Sequence, residues 1–259
     1  MSGRAPLALT IWGLGLTQVV GYGSLYYSFS VLAPRIAPGI GWPVQDLFAA
    51  LTVALVAGGI LAPVAGRWAD RFGAGRVMAA GSIAAAMALV GAALAQDGWT
   101  FLLALVAIEL ASAVVLYSTA FAAIVQASGD QRDITYLTLI AGFASTVFWP
   151  LTDWLQYSVG WRDTYLIFAG MNLLLCLPVH GLIGRLPRHD RVRLAQETDG
   201  FYLARPSDRG LFALMLAGFL TEGFVLSAGL FHLIPALAEL GLGGAGILVT
   251  TRFSPAQVL

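Results

Sequence analysis

Lysine is absent from this chain, and charged residues of any kind are scarce. Only 11% of the 259 residues are charged, whereas a soluble domain usually carries about 25%. So few charges cannot cover a water-facing surface, which excludes an ordinary soluble domain. The single cysteine, Cys176, cannot form an intrachain disulfide. Basic and acidic residues are equal in number, 14 of each, so net charge gives no reason to expect a nucleic-acid partner.

Apolar residues are abundant and arrive in long runs. They make up 58% of the chain, and the mean hydropathy is +0.80. A helix needs about 20 apolar residues to cross a bilayer, where every backbone group must be bonded internally. We therefore predict an all-α fold, a polytopic transmembrane helical bundle in the lipid bilayer. The predicted spans lie near residues 11–32, 47–64, 77–94, 100–125, 134–151, 165–183 and 211–233, and an eighth begins near 244.

The arginines lie mostly on one side of these spans. Only Arg35 and Arg162 fall on the side opposite the N-terminus, and Arg252 falls within the eighth run. The N-terminal side holds eleven: Arg4, Arg67, Arg71, Arg76, Arg132, Arg185, Arg188, Arg191, Arg193, Arg205 and Arg209. Because cytoplasmic loops are enriched in basic residues, we predict a multi-pass protein of the plasma (inner) membrane with a cytoplasmic N-terminus.

This pattern also predicts three regions. Residues 1–184 are expected to form a six-helix bundle, residues 185–209 a cytoplasmic linker, and residues 210–259 the incomplete start of a second bundle. The predicted second half is thus truncated.

The loop between the second and third spans contains a motif. It reads Gly66-Arg67-Trp68-Ala69-Asp70-Arg71-Phe72-Gly73-Ala74-Gly75-Arg76. This loop resembles the G-x-x-x-D-R-x-G signature of the major facilitator superfamily, which occupies the same cytoplasmic turn. We expect Gly66 and Gly73 to permit a tight reversal where a side chain would clash.

The resemblance implies a transporter of two six-helix halves around a midplane site. It implies that Asp70 acts as a conformational latch, supported by Gly66, Arg71, Gly73 and Arg76. The alternative is an interfacial charge pair that only sets topology. One departure stands out, because basic residues usually follow the second glycine directly, whereas here Ala74 and Gly75 do.

A second likeness lies in the first span and the loop after it. Residues 21–29 read Gly-Tyr-Gly-Ser-Leu-Tyr-Tyr-Ser-Phe, and Gly41-Trp42-Pro43 follows. This segment is similar to the monocarboxylate and oxalate–formate branch of the superfamily, and it makes a monocarboxylate one candidate solute.

Ionisable groups at membrane depth are functional candidates, because they are costly to place there. Glu109 and Glu222 lie near the middle of the fourth and seventh spans, which in the superfamily line the central cavity together with the first. A carboxyl group in an apolar medium favours its neutral form, so either could couple proton movement to solute movement. The alternative is a protonated glutamic acid bonded to a neighbouring helix, for example near Ser112.

Further candidates are an arginine and a row of polar side chains. Arg252 could bind both oxygens of a carboxylate with its planar guanidinium, or it is incidental. Gln18, Tyr22 and Tyr26 recur every four residues and share one helix face. They either line the solute path or pack against neighbouring helices.

Motifs for nucleotide binding, metal binding and nucleophilic catalysis are missing from the sequence. We therefore expect no enzymatic activity, no cofactor and no metal. The hypothesis is gradient-driven, alternating-access transport of a small organic solute, with protons as a candidate coupling ion. The alternative is a non-transporting membrane protein, such as a sensor or assembly partner, or an inactive fragment.

Overall fold

The computed structural model describes residues 4–128, 132–186 and 206–241, and within these ranges it contains helices and no strands. Two π-helical segments, Tyr22–Tyr27 and Asn172–Cys176, join α1 to α2 and α9 to α10. The α-helices are α1 Arg4–Gly21, α2 Ser28–Ile40, α3 Val44–Phe72, α4 Ala74–Leu94, α5 Gly98–Val115, α6 Tyr117–Ser128, α7 Arg132–Ala141, α8 Ala144–Ser158, α9 Gly160–Met171, α10 Leu177–Ile183 and α11 Pro206–Glu239.

Within the described residues, five helical stretches are long and apolar enough to cross a membrane. They are Val44–Phe72, Ala74–Leu94, Gly98–Ala127, Arg132–Ser158 and Gly160–Ile183. They coincide with the second to sixth predicted spans, and the first and seventh lie within α1–α2 and α11. The prediction of an all-α transmembrane bundle is confirmed, while the predicted eighth span lies outside the described residues.

Local signals explain where some of these helices begin. Asp97 precedes α5, and its Oδ1 accepts hydrogen bonds from the backbone N–H groups of Trp99 and Thr100, both at 2.9 Å. Thr100 Oγ1 in turn accepts from the Asp97 N–H at 3.3 Å. This capping box satisfies N–H groups that a helix start leaves unbonded. It fixes the entry of the span that carries Glu109.

The bundle buries many alanines together with larger apolar side chains, and large apolar side chains also cover its outer surface. Helix α5 packs against both α3 and α4, and α4 also packs against α9 and α10. On the outer surface, Ile60 is 74%, Met87 64% and Leu103 69% exposed. Such an apolar surface suits contact with lipid rather than water.

The two ends of the bundle differ in charge. At one end α3 passes into α4, and this end, hereafter the arginine-rich end, carries Arg67, Arg71 and Arg76. The opposite end carries Arg35 near the end of α2 and Arg162 near the start of α9.

Candidate functional site

The first span departs from α-helical geometry at its tyrosines. Residues Tyr22–Tyr27 form a π-helical segment between α1 and α2. A Cβ added to Gly23 would lie 2.0 Å from the Phe148 ring, so α8 approaches this segment as closely as a glycine permits. π-Helical turns are rare and occur often at functional sites.

The fourth span is interrupted at a neighbouring position. Helix α5 ends at Val115, Leu116 is extended with φ −87° and ψ −165°, and α6 begins at Tyr117. Gln18 Nε2 donates a 2.8 Å hydrogen bond to the Val115 carbonyl, which the interruption leaves without its usual helical partner. Gln18 therefore links the two irregular spans.

The side-chain oxygen of Gln18 is buried without a described hydrogen-bond partner. The side chain is fully buried, and its Oε1 has no hydrogen-bond partner among the described residues. Buried polar atoms are nearly always bonded, so this oxygen is available to an O–H or N–H donor.

Four tyrosine rings gather beside these irregular turns. The Tyr22 centroid lies 4.5 Å from that of Tyr117 and 6.1 Å from that of Tyr26. Tyr27 lies 5.4 Å from Tyr26 and 5.7 Å from Trp149. All four tyrosines are half-buried. The structure thus brings the predicted Tyr22 and Tyr26 together with Tyr27 and Tyr117, which the helix-face argument did not include. Gln18 bonds Val115, two residues before Tyr117.

Glu109 is buried on α5 with only 6% of its surface exposed. Its backbone carbonyl lies 2.9 Å from where a Cβ of Gly58 would stand, so α3 and α5 nearly touch there. Within the described part of the chain its carboxyl group has no hydrogen bond or ion pair. Ser112 donates instead to the Ile108 carbonyl at 2.8 Å.

Two of the predicted site residues cannot be located relative to Glu109. The side chain of Glu222, on α11, and the whole of Arg252 lie outside the described residues.

The turn at the arginine-rich end reverses through one glycine. Gly73 has φ +96°, a conformation that side chains rarely adopt, and it separates α3 from α4. The expectation that Gly66 shares in the reversal is wrong. Gly66 lies inside α3, and an added Cβ there would meet nothing within 4 Å. Asp70 and Arg71 are exposed, and the Arg71 guanidinium lies 5.3 Å from the centre of the Phe72 ring.

A glutamine from α6 holds this turn. Gln126 is buried, its Oε1 accepts from the Ala74 N–H at 3.0 Å, and its Nε2 donates to the Ala69 carbonyl at 3.2 Å. One side chain thus joins the end of α3 to the beginning of α4. The sequence gives no signal for this role, because Gln126 lies 52 residues from Ala74.

The departure from the family motif has a structural reason. A Cβ on Gly75 would lie 2.5 Å from the Gly184 backbone nitrogen, and a Cβ on Gly184 would lie 2.9 Å from the Arg76 nitrogen. Helices α4 and α10 cross here at backbone distance, which a larger residue at position 75 would prevent.

Replacing Gln126 with leucine should lower the stability of the folded chain by about 2 to 3 kcal/mol, because the buried Ala74 N–H loses its acceptor. The readout is thiol labelling on heating, since Cys176 is the only cysteine and is 1% exposed. Gln156→Leu is the matched control, because among the described residues Gln156 bonds within its own helix alone, to Asp153 at 2.8 Å. Equal labelling midpoints for the two variants would contradict the bridging role.

A histidine joins three helices deeper in the bundle. His180 Nδ1 lies 2.8 Å from Ser82 Oγ, and its Nε2 lies 3.0 Å from Thr17 Oγ1. The described residues contain no group of three or more side chains that could hold a metal ion. His180 therefore serves as a buried polar junction between α1, α4 and α10.

Comparison with known proteins adds one finding. A sequence model of the Major Facilitator Superfamily matches residues 14–259, which is nearly the whole chain. No curated protein and no solved structure gives a significant match. The match agrees with the helical bundle and with the motif at the arginine-rich end. The chain therefore belongs to the Major Facilitator Superfamily, whose members are membrane transporters of small solutes rather than enzymes.

Proposed function

We propose that this chain moves a small organic solute across the membrane by alternating access, driven by a proton gradient. Family membership supports secondary transport of a small solute. The observation that carries the finer proposal is Glu109, a buried carboxyl group without a described partner inside a membrane-length helix.

A carboxyl group in this position is costly, and no described residue offers it a hydrogen bond or an ion pair. Intramembrane acids are commonly paired, and they mark ion or proton pathways. Removing charge by binding a proton relieves the cost of burial. Loading and unloading of a proton at Glu109 is therefore the coupling step that the packing favours.

The solute path in this proposal passes the tyrosines beside the interrupted spans. Gln18 Oε1 offers an acceptor, and the half-buried tyrosines offer ring faces and hydroxyl groups. A monocarboxylate remains the first solute class to test. Its cationic partner in this proposal is Arg252, because the described arginines of the five membrane-length helices lie near helix ends.

The proposal also includes an orientation and a latch. The arginine-rich end is placed in the cytoplasm with the N-terminus, in the inner membrane. Asp70 and Arg71, exposed at that end, are placed at the latch between a bundle of residues 1–184 and a second bundle from residue 210, with residues 185–209 as the linker.

Vesicle uptake tests this function. The full chain is reconstituted into liposomes with an acidic exterior, and radiolabelled pyruvate and lactate are the first probes, followed by neutral sugars and amino acids. We expect saturable accumulation of one class that a protonophore abolishes. Accumulation that is unchanged by the protonophore would contradict proton coupling. If uptake of no solute class exceeds uptake by protein-free vesicles, the result would contradict transport and favour a non-transporting membrane protein.

A further inference from the structure

A groove runs along the outside of the bundle between α3, α4 and α5. Two adjoining cavities of about 370 and 720 Å³ form it, and Trp68, Gly81, Ala84 and Val114 line both. Gln18, Glu109 and the tyrosines do not line it. The groove is therefore separate from the proposed solute path.

The lining of the groove is apolar along its length. Small residues of α4 and α5, among them Ala84, Ala88, Ala104 and Ala107, form its floor. The exposed side chains of Met87 and Leu103 flank it. Thr100 lies at one end and Arg76 at the other, and the remaining lining is apolar or aromatic. Such a surface selects a hydrocarbon occupant over a polar one.

The dimensions suit one leaflet of a bilayer. The groove extends along α4 from Arg76 to Gly91. Fifteen residues of helix span about 22 Å, which exceeds half of the roughly 30 Å hydrocarbon core. A chain that starts at the arginine-rich end therefore reaches the bilayer midplane without leaving the groove.

The charge at the end of the groove indicates which headgroup fits. Arg76 is exposed, and its guanidinium has no hydrogen bond or ion pair to any described residue. Trp68, 43% exposed beside it, suits the membrane interface. A guanidinium binds phosphate with paired hydrogen bonds. Arg67, Arg71 and Arg76 outnumber Asp70 here, so the local charge favours a net anionic lipid.

We propose that this groove is a binding site for an anionic phospholipid, with one acyl chain along α4 and α5 and the phosphate on Arg76. The site would hold a lipid of the leaflet at the arginine-rich end. The groove lining is separate from the proposed solute path, so the lipid site can be tested without a transport assay.

Brominated lipids test this proposal, since bromine on an acyl chain quenches nearby tryptophan fluorescence. The full chain is reconstituted in vesicles of brominated phosphatidylglycerol or brominated phosphatidylcholine. Quenching of Trp68 is taken as the difference between the wild type and Trp68→Phe. We expect at least twofold stronger Trp68 quenching with the anionic lipid. Equal quenching by the two lipids would overturn the headgroup assignment.

Three variants separate the groove from general membrane contact. Arg76→Gln should remove the preference for phosphatidylglycerol, whereas Arg67→Gln, which alters an arginine outside the lining, should keep it. Ala84→Phe should fill the groove and weaken Trp68 quenching by both lipids. Undiminished quenching in Ala84→Phe, or an intact lipid preference in Arg76→Gln, would overturn the proposal. Heat-induced labelling of Cys176 verifies that each variant is folded.

Discussion

Glu109→Gln is expected to abolish solute accumulation driven by a proton gradient while leaving exchange of labelled for unlabelled solute intact. Glutamine keeps the shape of the protonated glutamic acid, but it cannot take up or release a proton. Because Glu109 has no described hydrogen-bond or ion-pair partner, the substitution removes the proton site without breaking a contact. Folding should be unchanged, with the same midpoint for heat-induced labelling of Cys176.

The size of the effect follows from the coupling. If one proton accompanies each solute, a difference of one pH unit supports accumulation of about tenfold, because each 1.4 kcal/mol corresponds to a factor of ten. In Glu109→Gln the concentration ratio should fall to about one, the value for uncoupled equilibration. The measurement is radiolabelled uptake with the membrane potential held at zero, using the solute class identified in the vesicle assay.

Glu239→Gln is the matched control for this experiment. Glu239 is the last residue of α11 and is exposed, so the same chemical change there should leave accumulation unaltered. If Glu109→Gln still accumulates solute at the wild-type ratio, the coupling proton binds elsewhere. Equal losses in both variants would indicate an unspecific effect on the protein.

The bundle was predictable because it depends on local composition. Twenty apolar residues in a row have few alternatives to a helix in lipid, so the second to sixth spans could be placed from hydropathy alone. The reversal at Gly73 was also predictable, since the motif places a glycine between two charged helix ends. The helical position of Gly66 was not predictable, because the motif does not show how far α3 continues.

The contacts that organise the candidate site join residues far apart in sequence. Gln18 and Val115 are separated by 97 residues, and Thr17 and His180 by 163. The periodicity of one helix cannot predict a hydrogen bond to a residue on another helix. The interruption at Leu116 is equally hidden, because neither a proline nor a glycine marks it between residues 111 and 120. The sequence could identify Gln18 as a polar residue on the same helix face as two tyrosines. It could not identify the Val115 carbonyl as its hydrogen-bond acceptor.

Gly75 shows how an apparent defect in a motif can be a packing requirement. Gly75→Ala should destabilise the folded chain by about 3 kcal/mol, at the upper end of the usual cost of overpacking. The clashing atoms are the nitrogen and Cα of Gly184, at 2.5 and 2.7 Å from the added Cβ. Backbone atoms cannot rotate away, so α4 and α10 must separate. The midpoint of heat-induced Cys176 labelling measures the loss.

Gly181→Ala is the control, because a Cβ there meets nothing within 4 Å. In a helix, this change is expected to be neutral or to stabilise by up to about 1 kcal/mol. Gly184→Ala, on the other side of the crossing, should resemble Gly75→Ala, since its Cβ would meet the Arg76 nitrogen at 2.9 Å. If the midpoint of Cys176 labelling in Gly75→Ala equals that of the wild type, α4 and α10 do not cross at backbone distance. The absence of a basic residue at position 75 would then need a functional explanation rather than a steric one.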